Sequence, residues 1–123
     1  MSLVARYLER NGIPTMVMGA ARDIVEYTGV PRFLFSDFPL GNSAGKPHDK
    51  ASQALTLELA LRLLESAVGP QTTMQSPLRW AQDSTWKNDY NNVALLSADE
   101  LARRRAEFDK QKDIAKGLKD TAA

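Results

Sequence analysis

Apolar residues recur along the chain in two alternating rhythms. Leu3, Val4, Tyr7 and Leu8 fall at helical spacing between Ser2 and Asn11, and Gly12 stands where a C-terminal cap belongs. Ile13-Pro14 leads into Thr15-Met16-Val17-Met18, an apolar run ending at Gly19 that predicts a buried strand. Residues 20–27 predict a second short helix with Ile24 and Val25 facing inward, closed by Thr28-Gly29. Val30-Pro31 then opens Arg32-Phe33-Leu34-Phe35, a second strand bounded by Ser36-Asp37. Two short buried strands joined by a helix predict a parallel crossover, with the right-handed connection that such units almost always adopt.

Residues 38–49 contain Pro39, Gly41, Asn42, Gly45 and Pro47, the composition of a loop. Pro47-His48-Asp49 then starts the longest helix, which runs to about Val68 before Gly69-Pro70 stops it. Its apolar positions Leu55, Leu57, Leu59, Leu61, Leu63, Leu64 and Val68 cover more than one stripe, which predicts burial on most sides. A two-stranded sheet is too small to supply that surface. Further strands are therefore expected from the segment after Gly69 or from another chain, and Thr72-Thr73-Met74-Gln75 is the candidate within this one. Residues 76–80 suggest a turn. Ser97 followed by Glu100 is a capping-box signature, starting a helix that continues to Lys116 or beyond. Its apolar residues, Leu101, Phe108, Ile114 and Leu118, are sparse among near-equal numbers of acids and bases, as on a surface or across a partner. The pattern as a whole predicts an α/β, Rossmann-like partial domain with a short parallel sheet and a long C-terminal helix. Residues 1–96 would form the α/β domain and residues 97–123 the charged helix.

Composition narrows the functions open to this fold. A chain of 123 residues makes one modest domain. With 16 Lys and Arg against 15 Asp and Glu, the net charge of +1 excludes the overall basic footprint of non-specific nucleic-acid binding. Arg79-Trp80, Trp86-Lys87 and Tyr90 interleave aromatic and basic residues, but anchoring an irregular segment onto a core is the commoner use of such residues, and no nucleic-acid partner is expected. Cysteine is absent, which excludes disulfides, thiolate metal sites and a thiol nucleophile on this chain. His48 is the single histidine, so neither a histidine metal cluster nor a triad elsewhere in the chain can form. No cofactor and no metal are expected. No apolar run approaches the ~20 residues of a membrane span, and the N-terminus lacks a signal-peptide core, so a soluble cytoplasmic protein is expected. Met16, Met18 and Met74 suit packing, and Arg103-Arg104-Arg105 a solvated helix face.

Ligands of open α/β sheets collect at the carboxyl ends of the strands, here residues 19–22 and 37–49. The first is a strand–glycine–helix turn whose amides could bind an anion beside Arg22, or a plain tight turn with an exposed arginine. It carries no dinucleotide fingerprint and no phosphate-loop lysine motif. In the second, prolines stiffen the loop, glycines permit close backbone approach, and Lys46 and His48 offer a cation and a proton carrier. The alternative is that His48 and Asp49 simply cap the long helix.

Taken as a string, Leu8-Glu9-Arg10-Asn11-Gly12-Ile13-Pro14-Thr15, then Ala21-Arg22-Asp23-Ile24, Gly29-Val30-Pro31-Arg32, Phe38-Pro39-Leu40-Gly41-Asn42 and Gly45-Lys46-Pro47, resembles a known family. It is similar to the C-terminal part of the B component of glycine, sarcosine and betaine reductase and its D-proline reductase relatives, over about residues 3–92. The resemblance implies a reductase component in which a selenocysteine or cysteine attacks the substrate's α-carbon–nitrogen system, with electrons supplied by dithiols. The family's reactive motif would fall at or before Met1, so no catalytic residue is carried over. What matches are the loops beside the reactive position, and the substrate-binding residues expected in them are Arg22, Asn42, Lys46 and His48. Arg22, Lys46 and His48 suit either the electropositive surroundings that lower a thiol pKa or the grip on a substrate carboxylate.

The expectation is thus a component of a thiol- or selenol-dependent reductase that acts on a small amino-acid-like substrate by reductive C–N cleavage. Its nucleophile would come from a Cys- or Sec-bearing subunit or a missing N-terminal segment; an in-frame UGA read as a stop, or a split gene, would each produce this arrangement. Assembly into an oligomer is expected from the burial argument. The rival is a non-catalytic interaction or regulatory subunit that retains the fold, while a stand-alone hydrolase or metal enzyme is disfavoured by the single histidine and absent cysteine.

Overall fold

A computed structural model of the chain describes residues 1–89 and 92–122, so Tyr90 lies outside the described residues. The chain divides into two compact units, Met1–Ser84 and Thr85–Ala123. In the first, α1 (Ser2–Arg10), β1 (Val17–Gly19), α2 (Arg22–Thr28), β2 (Arg32–Phe35), α3 (Lys50–Ser66) and β3 (Thr72–Gln75) follow one another. The three strands form one parallel sheet in the order β1-β2-β3, with Met18 opposite Leu34 and Leu34 opposite Met74. The segment after Gly69 does supply a strand, and the α/β class with a short parallel sheet stands.

Alternation along β2 separates two small cores. Phe33 packs with Val25 and Val30, backed by Val17 and Phe35, which places α2 on that face of the sheet. Leu34 points the other way, onto Ala60 and Leu63 of α3, with Met16, Met18, Leu59, Ala67 and Met74 around them. The strands step in one direction while their connecting helices lie on opposite faces, so the two crossovers have opposite hands and only one obeys the right-handed rule.

Two burial expectations need correction. Ile24 is exposed, because α2 is only seven residues long and turns Val25 alone squarely onto Phe33. Helix α3 is not buried on most sides either. Its inward residues are Ser52, Thr56, Ala60 and Leu63, the first three small enough to let the helix lie close to the sheet, while Leu57 and Leu61 are exposed, as is Val68 beyond the helix end at Ser66.

At the amino end of the strands, Glu9 is tied across the chain. Its carboxylate accepts from Arg32 Nη1 at 2.9 Å and from the Thr15 amide at 2.7 Å. Burial opposes its ionisation more than any other single effect, yet the bonds from Arg32 and Thr15 together with the arginine charge outweigh it. The Glu9 carboxyl is held below the ordinary carboxylate range.

The second unit contains the four-residue helix α4 (Trp86–Asp89), a single 3-10 turn at Val93–Leu95 and α5 (Ala98–Ala122). Ser97 Oγ accepts the Glu100 amide at 3.2 Å, the expected N-terminal cap. The Glu100 carboxylate accepts from Arg104 and Arg103, and these bonds hold its pKa below the usual value. No described helix is long and apolar enough to cross a membrane.

Candidate functional site

The carboxyl end of the sheet is where the backbone gathers polar groups. The Ser36 amide donates to Gly19 O at 2.9 Å and the Ser76 amide to Phe35 O at 2.7 Å, so the three strands end side by side. Ser36 is fully buried, and its hydroxyl has no hydrogen-bond partner among the described residues. Space at Gly19 is tight: a Cβ there would meet Phe33 Cε2 at 3.0 Å, so the ring would have to give way slightly.

From Ser36 the chain enters the proline- and glycine-rich loop, which is anchored at both ends. Phe38 is buried and meets Trp80 edge-on, with ring centroids 5.4 Å apart. The Asn42 amide and Nδ2 both donate to Pro39 O, at 3.1 and 3.2 Å, which folds the tip onto itself around Gly41. At the far end, Gly45 has φ +101° and lies so close to α3 that a Cβ would sit 2.8 Å from the backbone of Gln53. The Lys46 amide donates to Ser52 Oγ at 2.9 Å, and Gln53 Nε2 donates to Lys46 O at 2.9 Å. His48 adopts φ +59°, and the turn it makes delivers Asp49 to the N-cap, where Oδ1 accepts the Ser52 amide at 3.1 Å. The capping alternative therefore holds for Asp49, while His48 is an exposed turn residue.

Between this loop, β1 and the first turns of α3 lies an open pocket of about 420 Å³. Its walls are Met18, Gly41, Asn42, Ala44, Gly45, Pro47, Gln53 and Leu57. They are largely apolar and carry no charged side chain, with Asn42 and Gln53 as the polar contributors, which suits a compact organic molecule with one polar end. Among the described residues no group of three or more metal-ligating side chains comes together.

The four sequence-derived binding residues are distributed unequally. Asn42 lines the pocket. Lys46 and His48 belong to the same loop without lining the cavity. Arg22 begins α2 on the opposite face, where its guanidinium lies 5.8 Å from the centre of the Phe35 ring and pairs with Glu26 at 3.1 Å. Met18, Gln53 and Leu57 were not singled out from the sequence for binding. Their only signal was Gly45, whose need for close approach to α3 brings Gln53 and the loop together.

No protein-family model matches the chain, and no solved structure matches it. Over 51 residues, 42% of its length, the chain is 35% identical to the D-proline reductase subunit gamma of Acetoanaerobium sticklandii. The matched stretch spans 21% of that protein's own length, about a fifth. The likeness thus ties part of this chain to a reductase subunit.

Proposed function

We propose, from that partial likeness to a D-proline reductase subunit, that the chain is a component of a thiol- or selenol-dependent reductase acting on an amino acid or related amine. The observation that carries the reading is a reductase-like stretch in a chain whose 123 residues include no cysteine. The nucleophile then belongs to a Cys- or Sec-bearing subunit or to sequence outside these residues, and this chain contributes the floor and loop of the substrate site. In this scheme the thiolate or selenolate bonds to the α-carbon as the C–N bond breaks, nitrogen keeping the electron pair and taking a proton; a dithiol then cleaves the new C–S or C–Se bond, carbon taking a proton, and closes to a disulfide as the nucleophile is regenerated.

The pocket's apolar wall of Met18, Pro47 and Leu57 would take the hydrocarbon part of the substrate, with Asn42 donating or accepting at its polar end. Lys46 and His48, on the same loop, would hold the carboxylate and keep the approaching thiol ionised. Arg22 would act from the sheet's other face, which requires its ion pair with Glu26 to open.

Reconstitution with the Cys- or Sec-bearing subunit that accompanies the chain in its source cells tests this. Dithiol-dependent cleavage of D-proline, glycine, sarcosine or betaine is expected from the complex and not from the chain alone. Alanine at Arg22, Lys46 and His48 together should lower kcat/KM by at least about tenfold. Turnover by the isolated chain, or full activity of the triple variant in the complex, would overturn the reading.

A further inference from the structure

The polar side chains that line the pocket are two primary amides, and each is pinned by its nitrogen. Asn42 Nδ2 donates to Pro39 O at 3.2 Å, inside a turn that the Asn42 backbone amide closes onto the same oxygen. Gln53 Nε2 donates to Lys46 O at 2.9 Å, and the Gln53 stem lies against Gly45, where a Cβ would meet Cγ at 3.0 Å. Turning either amide over would set its oxygen against a carbonyl oxygen, so each bond fixes which end is nitrogen. Among the described residues neither Asn42 Oδ1 nor Gln53 Oε1 accepts a hydrogen bond. Each nitrogen has thus spent one of its hydrogens, whereas each oxygen keeps both lone pairs.

A pocket whose side chains offer mainly carbonyl oxygen receives hydrogen-bond donors. A carboxylate only accepts, and here it would meet two amide oxygens on walls that carry no charged side chain. It would give up its water for nothing in return. An ammonium donates, and bonds from a charged donor are the stronger kind. A quaternary ammonium bears the same charge without an N–H, which leaves it weak C–H contacts alone. Met18, Pro47 and Leu57 supply apolar wall for the carbon skeleton. Lys46 and His48 share the loop without lining the cavity, so a carboxylate on the same ligand stays outside with them.

We propose that Asn42 Oδ1 and Gln53 Oε1 form an ammonium subsite, which admits primary and secondary aliphatic amines and rejects quaternary ammonium and carboxylate groups. Its assignment to substrate rests on the reductase reading: the nitrogen that departs is then held inside the pocket and the carboxylate outside it. D-proline, glycine and sarcosine carry the N–H that the two oxygens require, and betaine does not.

Three probes with one five-membered ring test the proposal: pyrrolidinium, N,N-dimethylpyrrolidinium and cyclopentanecarboxylate. Each is titrated into the full chain at neutral pH and followed by the nitrogen–proton resonances of the Asn42 and Gln53 side chains. Pyrrolidinium is expected to bind at least about tenfold more tightly than either of the others. Gln53→Met and Asn42→Leu should each cut its preference over the quaternary probe by at least about threefold. That preference is a ratio between two cations, so a loop merely loosened by the substitution weakens both alike and leaves it unchanged. No binding of pyrrolidinium, similar affinities for the three probes, or a preference that survives both substitutions would overturn the inference. A selective pocket in a chain whose complex cleaves no C–N bond would keep the subsite and remove the reductase reading. Dithiol-dependent cleavage by the complex, beside an unselective pocket, would do the reverse.

Discussion

The two units of the chain are held by different physics. In Met1–Ser84, stabilising contacts reach across the sequence: Leu34 meets Ala60 and Leu63, and Glu9 meets Arg32 twenty-three positions away. In Thr85–Ala123, α5 relies on a local cap and on Glu100 paired with Arg103 and Arg104, three and four positions on. Two carboxylates show the contrast. Both are held below the ordinary pKa, Glu9 by partners that ordered folding brings to it and Glu100 by neighbours that any helix would place there. Apolar burial fixes the first unit's geometry, whereas α5 draws on propensity, a cap and screened surface pairs.

The comparison can be broken most decisively in the core. Leu63→Ala should cost about 3 kcal/mol by removing a fully buried side chain, and Leu57→Ala less than about 1 kcal/mol, read as shifts in urea unfolding of the isolated chain. Equal costs would mean that the outward side of α3 is already covered. Next comes Gly45→Ala, expected to cost about 2 kcal/mol because a Cβ would collide with the Gln53 backbone at a positive φ. It should also weaken ligand binding to the pocket without altering the ellipticity of α5.

Glu9→Gln should cost about 1–2 kcal/mol at neutral pH, since it removes the charged partner of a half-buried arginine. A carboxyl whose folded pKa is depressed contributes stability that is present above its unfolded value and lost as pH falls through the folded one. Unfolding of the native chain should therefore become easier with acid over that window, and the Gln variant should show a flatter profile. Ser97→Ala should cost the start of α5 about 1 kcal/mol, seen as lost helical ellipticity. Smallest is Glu100→Gln, a slight loss of helicity that high salt erases in the parent chain as well.

How much the sequence discloses follows the same division. The β2 strand reads correctly at both ends because Arg32-Phe33-Leu34-Phe35 is a dense apolar run between a proline and a serine, and β3 was legible as Thr72–Gln75. Ser97 announced α5 through chemistry that acts over three residues. Helix α3 misled because leucine content reports a helix's appetite for burial and not which side the chain's own sheet satisfies. The surface that packs joins the unremarked Ser52, Thr56 and Ala60 to Leu63 and Leu59. For the pocket, the loop was legible from its glycines and prolines, and Asn42 of that loop lines the cavity. Met18 and Leu57 reach the same cavity through tertiary placement that no local pattern encodes. Arg22 shares the strand-end neighbourhood in sequence logic, but the alternation of β2 assigns Phe35, its ring partner, to the opposite face from Met18.

The tight seat of Gly19 against Phe33 has an evolutionary consequence. The strand at the rim of the sheet ends on a position where added bulk would press on the buried Phe33 ring. Lineages of this protein would find Gly19 costlier to vary than the exposed Leu57 and Leu61 of α3 or Leu40 at the tip of the neighbouring loop.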